Sequence, residues 1–276
     1  MALSGCVELT AGRDSSRVAV TGLEVNRLES PRNVSAPVFS WKMETARTGA
    51  RQVAYRIVVS ELGKTGAETV WDSGEVKSGK SVGIAYAGKK LKSAAKYSWK
   101  VSVLDDKGEW TASESRFETG LLSASDWNGT EWIAVQGKPD EVTEEISKKN
   151  QSVPGTSCFV KRLSLGKDVV EAIWTVTGQG VFEAYVNGVR VGDDFLKPGF
   201  THVLKTRHAF TYDVTPLLSG KGTDVFSAEV SSGWWRDKIV GYRGRESAFR
   251  AQLVVRYSDG SERRFGTDTT WSGAIA

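Results

Sequence analysis

The sequence predicts an all-β chain built as two successive β-sandwiches. Three observations carry that expectation. No window holds a sustained helical period, whereas apolar and polar residues alternate through one segment after another, the period of a strand with one buried face. The 29 Gly and 10 Trp suit a turn-rich β architecture with aromatic packing. At 276 residues the chain is also long enough for two ordinary domains, each with its own core.

In the first domain, placed at residues 17–122, VFSWKM (38–43), QVAYRIVVSE (52–61), TVWDSGEV (69–76) and KYSWKVSVLDDKGEW (96–110) read as strands. Turns rich in Gly, Lys and Ser separate them, and SESRFETG closes the set. Tyr97, Trp99, Val101 and Val103 fall on one face, and Asp105 to Gly108 turns the chain back. LKSAAKYSWKVSV resembles the fibronectin type III pattern, in which a Leu and then a Tyr precede alternating core residues at tyrosine-corner spacing.

The second domain, residues 123–276, opens near Trp127-Asn128-Gly129 and Trp132-Ile133. KPDEVTEEISKKNQSVP (138–154) is charged and poor in strand signals, so it reads as a surface loop or partly disordered insertion. Strands follow at CFVKRLSL, VEAIWTV, VFEAYVNG, VRVGD, HAFTYDV, DVFSAEV, AFRAQLVVRYS and SERRFGT, a jelly-roll-like (galactose-binding-like) set. Asn187-Gly188 supplies the two positive-φ residues of a type I′ hairpin turn, and Asp259-Gly260 makes another hairpin. Pro198-Gly199 forces a turn ahead of Phe200. Thr215-Pro216-Leu217-Leu218 predicts one helical turn with Thr215 as N-cap and Pro216 at the first position. DTTWSGAIA at the end looks like a strand cut off before its partner, so the second domain is expected to be truncated and the chain to be a fragment.

Charge and cysteine content exclude several classes. Net charge is +4 over 37 basic and 33 acidic residues, and no basic stripe is interleaved with base-stacking aromatics, so no nucleic-acid partner is expected. The basic run from Lys89 to Lys100 alternates with core residues as a solvated strand face does. No stretch is long and apolar enough to span a membrane as a helix. The 2 Cys, Cys6 and Cys158, make neither a disulfide framework nor a metal site, and Cys158 reads as a plain buried thiol. Leu3-Ser4-Gly5-Cys6 has the form of a lipoprotein processing site without the apolar segment that should precede it. Residues 1–16 are therefore either the remnant of a trimmed leader, implying an extracytoplasmic protein lipidated on Cys6, or a chance, vector-derived match.

Few residues ask for chemistry. Asp193-Asp194 could hold calcium or touch a sugar, but neighbours on an extended chain point apart, and a solvated turn explains them. His202 and His208 lack a third ligand and a nucleophile, and read as surface strand residues. Trp234-Trp235-Arg236-Asp237 and Gly241-Tyr242-Arg243-Gly244-Arg245 flank one long loop. Rings beside Arg and Asp can cover the CH face of a sugar while charged groups bond its hydroxyls. Trp234, Trp235, Arg236, Asp237, Tyr242 and Arg243, with Phe200 and Asp194, are therefore the candidate carbohydrate contacts. The rival reading is that one Trp plugs the sandwich and the loop packs against another domain. No catalytic residue, metal ligand or cofactor is expected.

GQGVFEAYVNGVRVGDDFLKPGFT, FTYDVTPLL, SSGWW and TDTTW fall in the order found in the N-terminal domain of bacterial α-L-rhamnosidases, glycoside hydrolase family 78. VFSWKME, YRIVVSE, VWDSGEV and YSWKVSVLDDKGEW resemble the module that opens many of those enzymes, and DWNGTEWIA resembles their linker. The likeness runs from about Val18 to the C-terminus, through motifs that are weak singly and specific in sequence. It implies a C-terminal (α/α) barrel in the same parent chain, where a carboxylic acid and a carboxylate perform an inverting hydrolysis. It also implies rhamnose-containing polysaccharide as a partner. In some relatives an Asp-Asn pair before the strand matching VFEAYVNG binds calcium and rhamnose, beside a Trp at the position of Phe200. Here Thr177-Gly178-Gln179-Gly180 occupies that turn, which removes the oxygen ligands calcium prefers.

Overall fold

A computed structural model of the chain describes residues 17–63, 66–135, 155–166, 168–202, 205–220, 222–235 and 246–276. Their regular structure is β strand with three short 3-10 turns. The chain splits into two compact units, Met1–Leu91 with Lys96–Glu118, and Lys92–Ala95 with Thr119–Ala276. Among the described residues no helix is long and apolar enough to cross a membrane.

The first unit holds β1 (Ala19–Val25), β2 (Val38–Glu44), β3 (Gln52–Gly63), β4 (Gly66–Asp72), β5 (Ile84–Ala85), β6 (Lys96–Asp105) and β7 (Trp110–Glu118). They form two antiparallel sheets, β1-β2-β5 and β4-β3-β6-β7. The alternation in β6 is realised, since Tyr97, Trp99, Val101 and Val103 are all buried. Phe39 of β2 meets Trp99 of β6 with ring centroids 4.6 Å apart, so the two sheets share one aromatic core. Tyr97 stacks on Phe117 at 5.1 Å, and the Leu91 that precedes it in the tyrosine-corner pattern is buried too. Gln52 is a buried polar exception with its valences filled. Its Oε1 accepts from the Trp41 indole at 3.0 Å, and its Nε2 donates to the carbonyls of Ser78 and Lys80. At the predicted turn the Asp105 carboxylate accepts from the amides of Lys107 and Glu109, with Gly108 at φ 84°.

The second unit continues with β8 (Ile133–Ala134), β9 (Ser157–Leu163), β10 (Val169–Gln179), β11 (Val181–Val186), β12 (Val189–Arg190), β13 (Phe210–Asp213), β14 (Asp224–Ser231), β15 (Ala248–Tyr257), β16 (Glu262–Gly266) and β17 (Ser272–Ile275). One sheet runs β13-β10-β15-β16, with β8 also pairing β15, and the other runs β12-β11-β14-β9-β17. Both donate side chains to a single cluster that includes Phe159, Trp174, Phe182, Phe226, Phe249 and Leu253. Trp174 of one sheet meets Phe226 of the other edge-to-face at 5.2 Å.

Several expectations need correction. The C-terminal strand does not lack a partner: β17 pairs antiparallel with β9 from Ser272↔Val160 to Ile275↔Ser157. Its partner lies far upstream, where local pattern cannot point. Thr177, Gly178 and Gln179 are not a turn but the end of β10, paired with Arg250, Phe249 and Ala248. The 3-10 turn Thr215–Leu217 has Val214 at its N-cap. The Thr215 hydroxyl is instead engaged by the Ala172 amide at 2.8 Å and the Asp213 carboxylate at 2.5 Å, which draws Thr215 into the turn. His202 and His208 are exposed but lie in a loop before β13. Cys158 is half-buried rather than buried, and burial, ahead of the nearby Glu229, pushes its thiol up. The two-residue strands β5 and β8 are too short to show alternation, and in β1 the irregularity between Thr21 and Glu24, with Gly22 at φ 53°, interrupts it. Cys6 and the charged stretch 138–154 lie outside the described residues.

The Asn187-Gly188 hairpin forms as expected, with Val186 opposite Val189 and φ values of 52° and 80° at the turn. Asn187 adds a second role. Its side chain donates to the Leu217 carbonyl and the Asp224 carboxylate and accepts from the Val225 amide, all within 2.9 Å. Gly188→Val puts a β-branched residue at positive φ and is expected to destabilise by roughly 1–3 kcal/mol. A urea midpoint indistinguishable from the parent's would refute this turn's importance.

Candidate functional site

The loop after β12 is built on a buried cation. Lys197 is 1% exposed, and its ammonium donates to the Val191 carbonyl at 3.1 Å and pairs with Glu183 at 3.3 Å. The rings of Phe182 and Tyr212 lie 5.7 and 5.5 Å from it. The Lys197 carbonyl accepts from the Phe182 amide, so backbone and side chain both tie the loop to β11. Arg190 completes the network, donating to Glu183 at 2.8 Å and to the Asp194 carbonyl while covering the Phe195 ring at 4.4 Å. Burial, ahead of the Asp194 carboxylate, pushes the Tyr212 phenol up. With its inner side fixed, the loop displays Phe195, Leu196 and Phe200 at 79%, 59% and 62% exposure. Large apolar side chains so exposed and so close in sequence make this loop a candidate contact surface.

Phe200 leads into a second feature. Its ring lies edge-to-face against Trp234 at 6.1 Å. Trp234 and Trp235 sit in the 3-10 turn Gly233–Trp235 that follows β14. Trp235 faces inward: it is buried, and its indole N–H donates to the Glu246 carbonyl at 2.8 Å. Arg207 lies over Trp235 and also over Trp132, with the guanidinium carbon 5.5 Å from each ring centroid. The Thr201 hydroxyl donates to the Thr206 carbonyl at 2.7 Å, joining the chain next to Phe200 with the chain next to Arg207. Thr177 of β10 donates to the His208 carbonyl at 2.9 Å and holds the far end. The result is a ledge of Phe200, Trp234, Trp235, Arg207 and Trp132.

Of the residues singled out from sequence, the structure brings Phe200, Trp234 and Trp235 together. Asp194 stands exposed on the neighbouring loop. Arg236, Asp237, Tyr242 and Arg243 lie outside the described residues. Trp132 and Arg207 were not foreseen. Their neighbourhood joins the chain before β8, the loop before β13 and the turn after β14, and no local spacing encodes that meeting. Among the described residues no three His, Cys, Asp or Glu side chains cluster as a metal site. Among the described residues, clefts also open elsewhere. One of about 390 Å³ lies on the first unit's polar sheet face beside Arg56, Ser98 and Lys100. Another, of about 270 Å³, lies in the second unit between Lys161, Phe265 and Trp271.

Comparison with known proteins covers both units. Residues 20–123 match the family described as Rha78A-like, N-terminal immunoglobulin domain, and residues 167–275 match the α-L-rhamnosidase N-terminal domain. An α-L-rhamnosidase of Formosa agariphila is 31% identical over 263 residues, covering 86% of this chain and 27% of its own length. The structure of an α-L-rhamnosidase from Dictyoglumus thermophilum superposes with a TM-score of 0.80 at 28% identity, over 93% of this chain and 30% of that one. One from Aspergillus terreus gives 0.76 at 25% identity, over 94% and 30%. The chain thus spans about a quarter of the length of the curated relatives it matches. With both family matches falling in one chain, in order, and with these relatives, the protein belongs to the α-L-rhamnosidase family and corresponds to its N-terminal region.

Proposed function

We propose that this chain is the non-catalytic accessory region of an α-L-rhamnosidase, in which the parent's (α/α) barrel removes terminal α-L-rhamnose from glycans. Residues 17–122 act as a fibronectin type III-like sandwich and 123–276 as a jelly-roll sandwich. Together they position the barrel, and the ledge of the second meets rhamnose-containing polysaccharide. The observation that carries the reading is the extent of the match, 86% of this chain against 27% of a protein named α-L-rhamnosidase. The parent works outside the cytoplasm, where such glycans are met, with Cys6 as its point of lipid attachment.

Purified alone, the chain is expected to leave aryl α-L-rhamnosides intact. Turnover above a blank, abolished by changing one Asp or Glu of this chain, would replace the accessory reading with an enzymatic one. Free rhamnose is expected to bind only in the millimolar range, because an open ledge encloses little of a monosaccharide and water competes for each hydroxyl. Chelator should leave that binding unchanged, since the Thr177–Gly180 stretch offers no side-chain carboxylate. Chelator-sensitive binding in a calorimetric titration would contradict this.

A further inference from the structure

We propose that Arg207 makes the ledge a reader of anionic sugar units, its guanidinium gripping a carboxylate or sulfate while the adjoining rings carry the glycan. The proposal rests on the reading that the ledge binds glycan and adds the charge of the residue it selects. Arg207 is exposed, yet its guanidinium is held over two rings, Trp132 and Trp235, at 5.5 Å each. Among the described residues no carboxylate stands within ion-pairing distance of it, unlike Arg190, which Glu183 occupies. A guanidinium steadied through its π face keeps its N–H fork available, and that fork matches the two oxygens of a carboxylate or sulfate. Ring contact also reduces the freedom lost when a ligand binds. Of the two rings, Trp235 is fixed by its hydrogen bond to the Glu246 carbonyl.

The surroundings favour an anion. Lys205, His202 and His208 are exposed on the same loop as Arg207. Glu246 is exposed, and its backbone carbonyl accepts from the Trp235 indole. The Phe200 ring meets Trp234, and the Thr201–Thr206 hydrogen bond ties the chain next to Phe200 to the chain next to Arg207. A pyranose stacked on exposed Phe200 would therefore have a charged neighbour in the same chain within reach of the fork. Neutral glycans would use only the aromatic half of the ledge.

The test is calorimetric titration of the 276-residue chain with three probes: a triuronate, its carboxyl-reduced neutral counterpart, and a sulfated trisaccharide. Charged hydrogen bonds of this kind correspond to about a tenfold preference for an anionic probe over the neutral one. Whether the uronate or the sulfate ester shows that preference identifies the source of the anion. Arg207→Gln should erase the preference, so that anionic and neutral probes bind it with equal affinity. Arg207→Lys should keep only a small, salt-sensitive part of it, because an ammonium lacks the fork. Phe200→Ala should weaken all probes alike. Thermal melts of each variant separate lost recognition from lost folding. Equal affinity of the parent chain for charged and neutral probes overturns the role of Arg207 but leaves glycan binding standing. Failure of every probe to bind the parent chain overturns both.

Discussion

Glu183→Ala is expected to destabilise the second unit by about 3–5 kcal/mol, far more than an average surface substitution on a half-exposed strand position. The cause is the cation left behind. Lys197 has a side chain with no solvent exposure, and Glu183 at 3.3 Å is its counter-ion. Without that carboxylate the ammonium keeps one carbonyl, from Val191, and the faces of two rings. That one acceptor and those ring faces do not replace the hydration of a full charge. Lys197→Met, by contrast, removes the charge while keeping much of the stem's volume, and should fall near neutral or be mildly stabilising. The double variant Glu183→Ala with Lys197→Met should recover most of what the single variant loses. Urea unfolding of the four proteins gives the answer as a cycle. A Glu183→Ala protein within about 0.5 kcal/mol of the parent would mean that the buried charge is not what holds this loop.

The same residues mark the limit of what the sequence discloses. Phe182, Ala184 and Val186 announce their strand because the period is local, and Asn187-Gly188 announces its turn because only certain residues adopt those backbone angles. All of that was legible. Lys197, inside FLKPGF, looks like any loop lysine, and only its meeting with Glu183 from β11 reveals it as an interior residue. The pairing of β17 with β9 is hidden for the same reason, as is the approach of Arg207 to Trp132. Phe200 and Trp234 could be singled out from sequence because aromatics lie beside turns there, and the structure places their rings together. Trp235, equally aromatic in sequence, proved to be the inward-facing support. Distinguishing the two requires knowing which side of the Gly233–Trp235 turn faces the core.

Gly180→Ala is expected to cost more than about 3 kcal/mol, because positive-φ strain and a backbone collision act together at this position. Gly180 is the lone residue between β10 and β11, which belong to different sheets, so the chain changes sheet in a single step. It does so at φ 132°, in a region only glycine enters freely. A Cβ there would lie 2.2 Å from the Ser231 carbonyl oxygen and 3.0 Å from a Val230 methyl. The carbonyl cannot swing away without disturbing the Val181↔Ser231 register that starts the β11–β14 pairing. Gly188→Ala is the control: Gly188 sits at φ 80° in the β11–β12 turn with nothing within 4 Å of an added Cβ, so it carries the strain without the collision. Denaturant midpoints for the two variants should therefore separate clearly, with Gly180→Ala much the weaker protein. Equal losses would show that backbone angle alone accounts for the glycine and that β14 yields at Ser231. A large gap, accompanied by loss of amide protection along β11 and β14 in hydrogen exchange, would establish the close approach as what fixes where the chain crosses between its sheets.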